Sequence, residues 1–347
     1  MRTRLTELVG VRYPIVQTGM GYVSGARLTA ATANAGGLGI IASATMSLSQ
    51  LDSAISEVRE RTDAPFGVNL RADAHDAADR IDLIIRHGVR VASFALAPKQ
   101  ELIAKLKDAG VVVIPSVGAK RHAEKVAAWG ADAVVVQGGE GGGHTGPVPT
   151  TLLLPQIVDA VGIPVVAAGG FFDGRGLVAA LAYGAAGIAM GTRFLLTKES
   201  TVSDAVKQEY LARSVTDTVV TTRVDGVPHR VLKTSFVDRL EHRGLGTALR
   251  NALKFRRLSG MSLRQMARDG RALKHGRELT WGQVLMAANT PMLLKAAMVD
   301  GRPDLGVMSA GQVVGLIDDL PTVDELIRRI MTEAAATLAT LRDLTPQ

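Results

Sequence analysis

Eight short apolar runs recur at an even beat through the first two thirds of this 347-residue chain, and they narrow its fold more than any other feature. They are PIVQ (Pro14–Gln17), LGIIA (Leu38–Ala42), PFGVNL (Pro65–Leu70) and VRVASFA (Val89–Ala95), then VVVIPSV (Val111–Val117), AVVVQG (Ala133–Gly138), PVVAAGG (Pro164–Gly170) and GIAMGT (Gly187–Thr192). Each is strand-length and lacks a polar alternation, as expected of strands buried on both faces of a parallel sheet. The stretches between them have helical spacing; Leu48, Leu51, Ile55 and Val58 share one face with acids opposite. Eight β/α units predict an α/β fold of the (β/α)8 barrel type. An open doubly wound sheet is the alternative, but it normally has fewer strands and an early Gly-rich turn.

The rhythm stops near Thr216. "TTRVDGVPHRVLKTSF" reads as an irregular or extended crossing, basic helices follow, and "MAANTPMLLKAAM" suits either a cap core or a contact in a homodimer. Near the end, Thr322 and Glu325 have capping-box spacing. Val323, Leu326, Ile327, Ile330, Met331, Leu338 and Leu341 then mark one helical face. The expected organisation is a barrel of residues 1–215 and 311–347 with a basic, mainly helical cap, 216–310, over its catalytic end. The N-terminus has no apolar signal core, and the longest uncharged stretch, Gly176–Thr192, falls short of the roughly 20 residues of a membrane span. The expectation is a cytoplasmic protein with no membrane partner.

Barrels of this kind react at the C-terminal ends of their strands, and the unusual residues gather there. "QTGMG" follows the first strand, Ser43 the second and Asn69 the third. "QGGEGGGHTG" follows the sixth, "AAGGFFDGRG" the seventh and "MGTRF" the eighth. Gly169-Gly170 and Gly191-Thr192 suit a phosphate grip, because backbone N–H groups at such turns can converge on an anion. Asp173 reads as a helix N-cap. His144, alone among glycines, has few neighbours to satisfy it and is a candidate catalytic residue. The other six histidines read as surface, with His229 also a substrate-side candidate. No His, Asp or Glu spacing suggests a metal site. The chain has no cysteine, which excludes disulfides, thiolate nucleophiles and the cysteine chemistry of an inosine-monophosphate-dehydrogenase-like barrel.

Charge is unevenly spread. Between Arg223 and Arg277 there are 14 Lys or Arg and 4 Asp or Glu; the rest of the chain has 26 basic and 29 acidic residues. Such a segment reads either as a solvated helical face or as the meeting place for an anionic partner. Phe236 and Phe255 are its only aromatics, too few for base stacking, which argues against nucleic acid.

The pieces "PIVQTGMG", "AGGLGIIAS", "FGVNL", "GADAVVVQGGEGGGHTG", "VVAAGGFFDGRGLVAALAYGAAGIAMGTRFLLTKES" and "SAGQVVGLIDDLPTVDELI" together resemble the nitronate monooxygenase family of FMN barrels, which includes flavin enoyl reductases. The resemblance implies FMN as cofactor. It implies flavin contacts from Gln17, Gly19, Met20, Ser43, Asn69, Gln137, Gly142 and Gly143, with His144 as the acid/base group. Gly169, Gly170, Gly191 and Thr192 would hold the phosphate, and Gly311 and Gln312 would return from the cap over the ring. Gly141 stands where the family usually has alanine. The basic segment exceeds what a small nitronate requires. The whole chain is similar to a sub-branch acting in actinobacterial steroid ring C/D degradation, which implies an acyl-CoA substrate. Its phosphates would meet Arg223, His229, Arg230, Arg256 and Arg257. The alternative reaction is oxidation of alkyl nitronates with O2.

Overall fold

The computed structural model describes residues 1–95, 97–242 and 281–344. Eight parallel strands close a barrel in the order β1 (Ile15–Gln17), β2 (Leu38–Ala42), β3 (Gly67–Leu70), β4 (Val91–Phe94), β5 (Val112–Val117), β6 (Val134–Gln137), β8 (Val165–Ala168) and β9 (Gly187–Met190). All eight fall within the apolar runs read from the sequence. The seam is made by Val16 beside Ala189 and, on the other side, Val16 beside Leu38. This is the (β/α)8 architecture, and the doubly wound alternative is set aside.

The runs lack polar alternation because both strand faces are buried. Val135, Val166 and Ala189 point into the barrel with Val16, Ile40 and Ile114. Their neighbours Val134, Val136, Ala167 and Ile188 point outward against Leu153, Leu154, Ile157 and Leu177 of the helical ring. Successive strand side chains alternate faces, and here each face meets apolar partners. A short helix, Arg4–Val9, puts Leu5 and Val9 into the inner cluster. Thr3 and Thr6 cap its start reciprocally.

Asp173 caps the helix Gly174–Ala182, its carboxylate accepting from Gly176 N at 2.8 Å. The C-terminal helix Val323–Asp343 begins with the Thr322–Glu325 capping box and buries Val323, Leu326, Ile327 and Ile330. Leu338 and Leu341, expected on the same face, are 42% and 48% exposed. The helix outruns the surface it packs on, so the apolar stripe continues into solvent. In the helix Leu48–Arg61, Leu51, Ile55 and Val58 are fully buried, while Leu48 is only half-buried.

Residues 243–280 lie outside the described residues, and with them Arg256, Arg257 and Phe255. What precedes them is an antiparallel ribbon, β10 (Thr218–Thr221) and β11 (His229–Leu232), where the sequence suggested an irregular or extended crossing. β11 also pairs with β7 (Gly143–His144), setting His229 opposite His144 and Arg230 opposite Gly143. Val224, Val231, Val237 and Val307 form a small core of their own, with Leu293 and Leu294 packed on it. Chain 308–310 returns along β11 through Leu232 N to Met308 O, 2.9 Å, and Ala310 N to Arg230 O, 3.4 Å. No described helix is long and apolar enough to cross a membrane.

Candidate active site

Strand pairing brings Ala168 beside Ala189, so Gly169-Gly170 and Gly191-Thr192 leave the rim side by side. Gly169 and Gly170 adopt φ of +96° and +82°, a left-handed turn that side chains resist. Thr192 accepts from Gly311 N at 3.0 Å, and Gln312 N donates to Glu140 O at 2.9 Å. The returning segment is thereby stitched to the ends of both β6 and β9. Gly142 meets it at closest approach: a Cβ there would stand 2.6 Å from Ala310 C and Gly311 N.

The glycine loop after β6 is held from three sides. Gln137 Nε2 donates to Gly142 O (3.3 Å) and His144 O (2.8 Å). Arg230 forks onto Gly139 O from Nε and Nη2, at 3.1 and 2.8 Å, and donates from Nη1 to Thr218. Glu140 turns its carboxylate away to the start of the helix Thr150–Val158, accepting from Thr150 N and, at 2.7 Å, from Thr150 Oγ1. This acid is therefore spent as a helix anchor, and the loop presents backbone to the rim.

On the opposite arc, a Cβ on Gly19 would lie 2.4 Å from Asn69 Cβ. Asn69 donates to Ser93 Oγ at 3.2 Å, and its carbonyl accepts from Ser43 Oγ at 2.7 Å. Met20 N donates to Ser24 Oγ at 2.9 Å. Gln17 is fully buried, donating to Ser24 Oγ and Ile40 O and accepting from Ile40 N. Its amide is a strut between the first two strands. These residues ring one mouth, that of the barrel's C-terminal end.

His144 stands in that mouth with its side chain 61% exposed, yet Nε2 lies 2.5 Å from Oδ2 of Asp225, which is 7% exposed. His229 sits beneath, its ring centroid 4.8 Å from that of His144. It is only 3% exposed, so reading it as a surface histidine was wrong: pairing in β11 carries it inward. Nε2 of His229 shares a hydrogen bond with Ser309 Oγ at 2.8 Å. Among the described residues Nδ1 has no hydrogen-bond partner, and it lies 3.7 Å from Asp225 Oδ2. Burial opposes the charge on Asp225, but the two imidazoles outweigh it and hold the carboxyl well below the usual carboxylate range. Burial pushes the His229 imidazole down, so it stays neutral at neutral pH.

Sequence reasoning saw no metal-type cluster, yet the ligand-type atoms of His144, Asp225 and His229 lie within 4.8 Å of one another. It also missed Asp225 itself, since nothing in "TTRVDGVPHR" marks one acid as a partner for a histidine 81 residues away. Arg71, after β3, was missed too. It forks onto Asp73 at 3.0 and 2.9 Å; that hydrogen bond first, and the charges of Asp73 and Asp225 as well, raise its pKa. Arg223 is exposed on the β10–β11 turn that also carries Asp225.

The nitronate monooxygenase family profile matches residues 2–81 and 77–333. The (3aS,4S,5R,7aS)-5-hydroxy-7a-methyl-1-oxo-octahydro-1H-indene-4-carboxyl-CoA dehydrogenase of Mycobacterium tuberculosis is 67% identical over 347 residues, 98% of each chain. The Rhodococcus jostii enzyme of the same name is 67% identical over 338 residues, 96% of each chain. Among solved structures, FabK from Thermotoga maritima superposes with a TM-score of 0.82 at 36% identity, covering 99% of this chain and 100% of its own. With a profile spanning nearly every residue and relatives this similar end to end, the chain belongs to the nitronate monooxygenase family of flavin-dependent oxidoreductases.

Proposed function

We propose that this protein is an FMN-dependent dehydrogenase of a bicyclic, hydroxylated indane carboxylate presented as its CoA thioester, an intermediate of steroid ring C/D breakdown. The observation that carries this reading is the 67% identity, over 98% of both chains, to an indene-carboxyl-CoA dehydrogenase. The rim fits the cofactor. Gly169-Gly170 and Gly191-Thr192 lie side by side at the rim and would turn backbone N–H groups to a phosphate, and Glu140 is tied back to Thr150 and keeps its charge on the helix. Gly19, Met20, Ser43, Asn69, Gln137, Gly142 and Gly143 would flank the ring and ribityl chain, and Gly311 and Gln312 would cover them. Gln17 would support this arc from below.

When bound, the flavin supplies the two-electron chemistry by accepting hydride. This chain's own residues do the rest. His144 takes the proton from a substrate position acidified by the neighbouring thioester or carbonyl, a role that imidazoles commonly serve. Asp225 stabilises the imidazolium that results. Arg223 and the basic segment would meet the CoA phosphates, for which charge-assisted hydrogen bonds from guanidinium groups are well matched. Anaerobic mixing of the flavin-loaded protein with acyl-CoAs, nitronates and NAD(P)H tests the proposal. Bleaching by the indane-type acyl-CoA is expected. Bleaching by nitronates with no response to any acyl-CoA refutes the substrate class.

A further inference from the structure

The hydrogen bonding around His144 separates its two ring nitrogens. Nε2 points at a buried carboxylate 2.5 Å away, while among the described residues Nδ1 has no hydrogen-bond partner and its side chain is mostly in the open mouth. Asp225 is fixed from the other side by Val227 N, which donates to Oδ1 at 3.2 Å. Backbone pairing of His144 with His229, and Thr145 N donating to Pro228 O at 3.1 Å, hold the imidazole and the carboxylate in one ribbon. His229 lies on the same carboxylate, Nδ1 3.7 Å from Oδ2, and is anchored through Ser309, whose carbonyl accepts from the buried Tyr210 hydroxyl at 2.9 Å. Among the described residues, the charged or titratable groups facing the carboxylate are His144, His229 and, farther off, Arg71.

We propose that Asp225 is a positioning residue that locks His144 in the Nε2–H form, so that Nδ1 is the nitrogen that exchanges protons with substrate. A carboxylate is only an acceptor, so the ring nitrogen it faces must carry the hydrogen, and the lone pair is left on the other nitrogen. In the forward step the substrate's acidic hydrogen bond breaks and an Nδ1–H bond forms. The imidazolium then shares its charge with Asp225 through Nε2–H, and the carboxylate stays ionised throughout. This goes beyond naming His144 as the base, and it rests on that assignment only for its catalytic consequence.

Nitrogen-15 NMR of histidine-labelled protein without substrate reads the tautomer directly, with His144→Gln identifying the signal. The expected result is an Nε2–H imidazole at alkaline pH, lost in Asp225→Asn. With the indane-type acyl-CoA, Asp225→Asn is expected to lower kcat by about 100-fold with little change in KM, within the range a placed general base contributes. Asp225→Glu should recover part of it. Flavin content and melting temperature check that the variants fold. An Nδ1–H tautomer in the wild type overturns the proposal, as does stoichiometric zinc in the purified protein, which would occupy the same nitrogen. Because the tautomer is read without turnover, absence of acyl-CoA activity would remove the substrate reading and leave this one standing.

Discussion

Gly142→Ala tests whether the returning segment closes the site. The added Cβ would lie 2.6 Å from two backbone atoms of Ala310 and Gly311. Carbon contacts are comfortable near 3.5–4.0 Å, so the segment must retreat by about 1 Å. Three hydrogen bonds hold it: Gly311 N to Thr192, Gln312 N to Glu140 and Ala310 N to Arg230. The retreat breaks one of them, a loss of about 1 kcal/mol net, and overpacking itself costs about 1–3 kcal/mol. The sum is a loss of about 2–4 kcal/mol, which for a chain this long lowers Tm by about 3–6 °C at roughly 2.1 cal/mol/K per residue. Weakened flavin retention should accompany it. Gly143→Ala is the control. Its φ of +73° makes a side chain strained, but a Cβ there meets nothing within 4 Å, so only about 1 kcal/mol is expected. Melting curves and the visible absorbance of desalted protein report both effects. A Gly142→Ala protein that melts with the wild type and stays fully yellow refutes the reasoning.

Other substitutions probe the supports. His229 is held neutral by burial, so the unfolded chain binds its proton more readily, and stability should fall as pH drops below about 6.5, by at most about 1.4 kcal/mol per pH unit. His229→Gln should flatten that part of a stability–pH curve. It should shrink but not abolish the loss at lower pH, below the ordinary value of 3.8, that the depressed Asp225 carboxyl contributes, because His144 still holds that carboxyl down. Arg230→Lys removes the fork on Gly139 O; faster hydrogen exchange across 138–146 with lower turnover is expected, and unchanged exchange would count against it. Gly174→Ala drives a Cβ to within 2.3 Å of Ala334 N in the C-terminal helix. A loss of about 1–3 kcal/mol in denaturant unfolding is expected, with flavin chemistry intact.

The barrel was legible because a parallel strand buried on both faces leaves an uninterrupted apolar run. LGIIA marks β2 residue for residue, and AVVVQG overshoots β6 by one residue at each end. The rim was legible for a similar reason: glycines concentrate where strands end and backbone must come close. His144 stood out by isolation. Its partner did not, since Asp225 joins it through a two-residue strand pairing set by tertiary structure. His229 looked like one more histidine in a basic stretch, and only the register of β11 shows that its alternation points inward. Leu338 and Leu341 illustrate the converse: periodicity says which side of a helix is apolar and nothing about where its neighbour ends.

The imidazole is mounted on the insertion as much as on the barrel, since β7 exists only as the third strand of the β10–β11 ribbon. A truncated protein lacking residues 216–310 would therefore not be a stripped-down catalyst with a wider entrance. It would lose the edge that fixes His144 along with the carboxylate behind it. Grafting a relative's insertion onto this scaffold should succeed only when the donor brings its own matching ribbon, so on the function proposed above the substrate entrance and the proton-transfer pair would be exchanged as one unit.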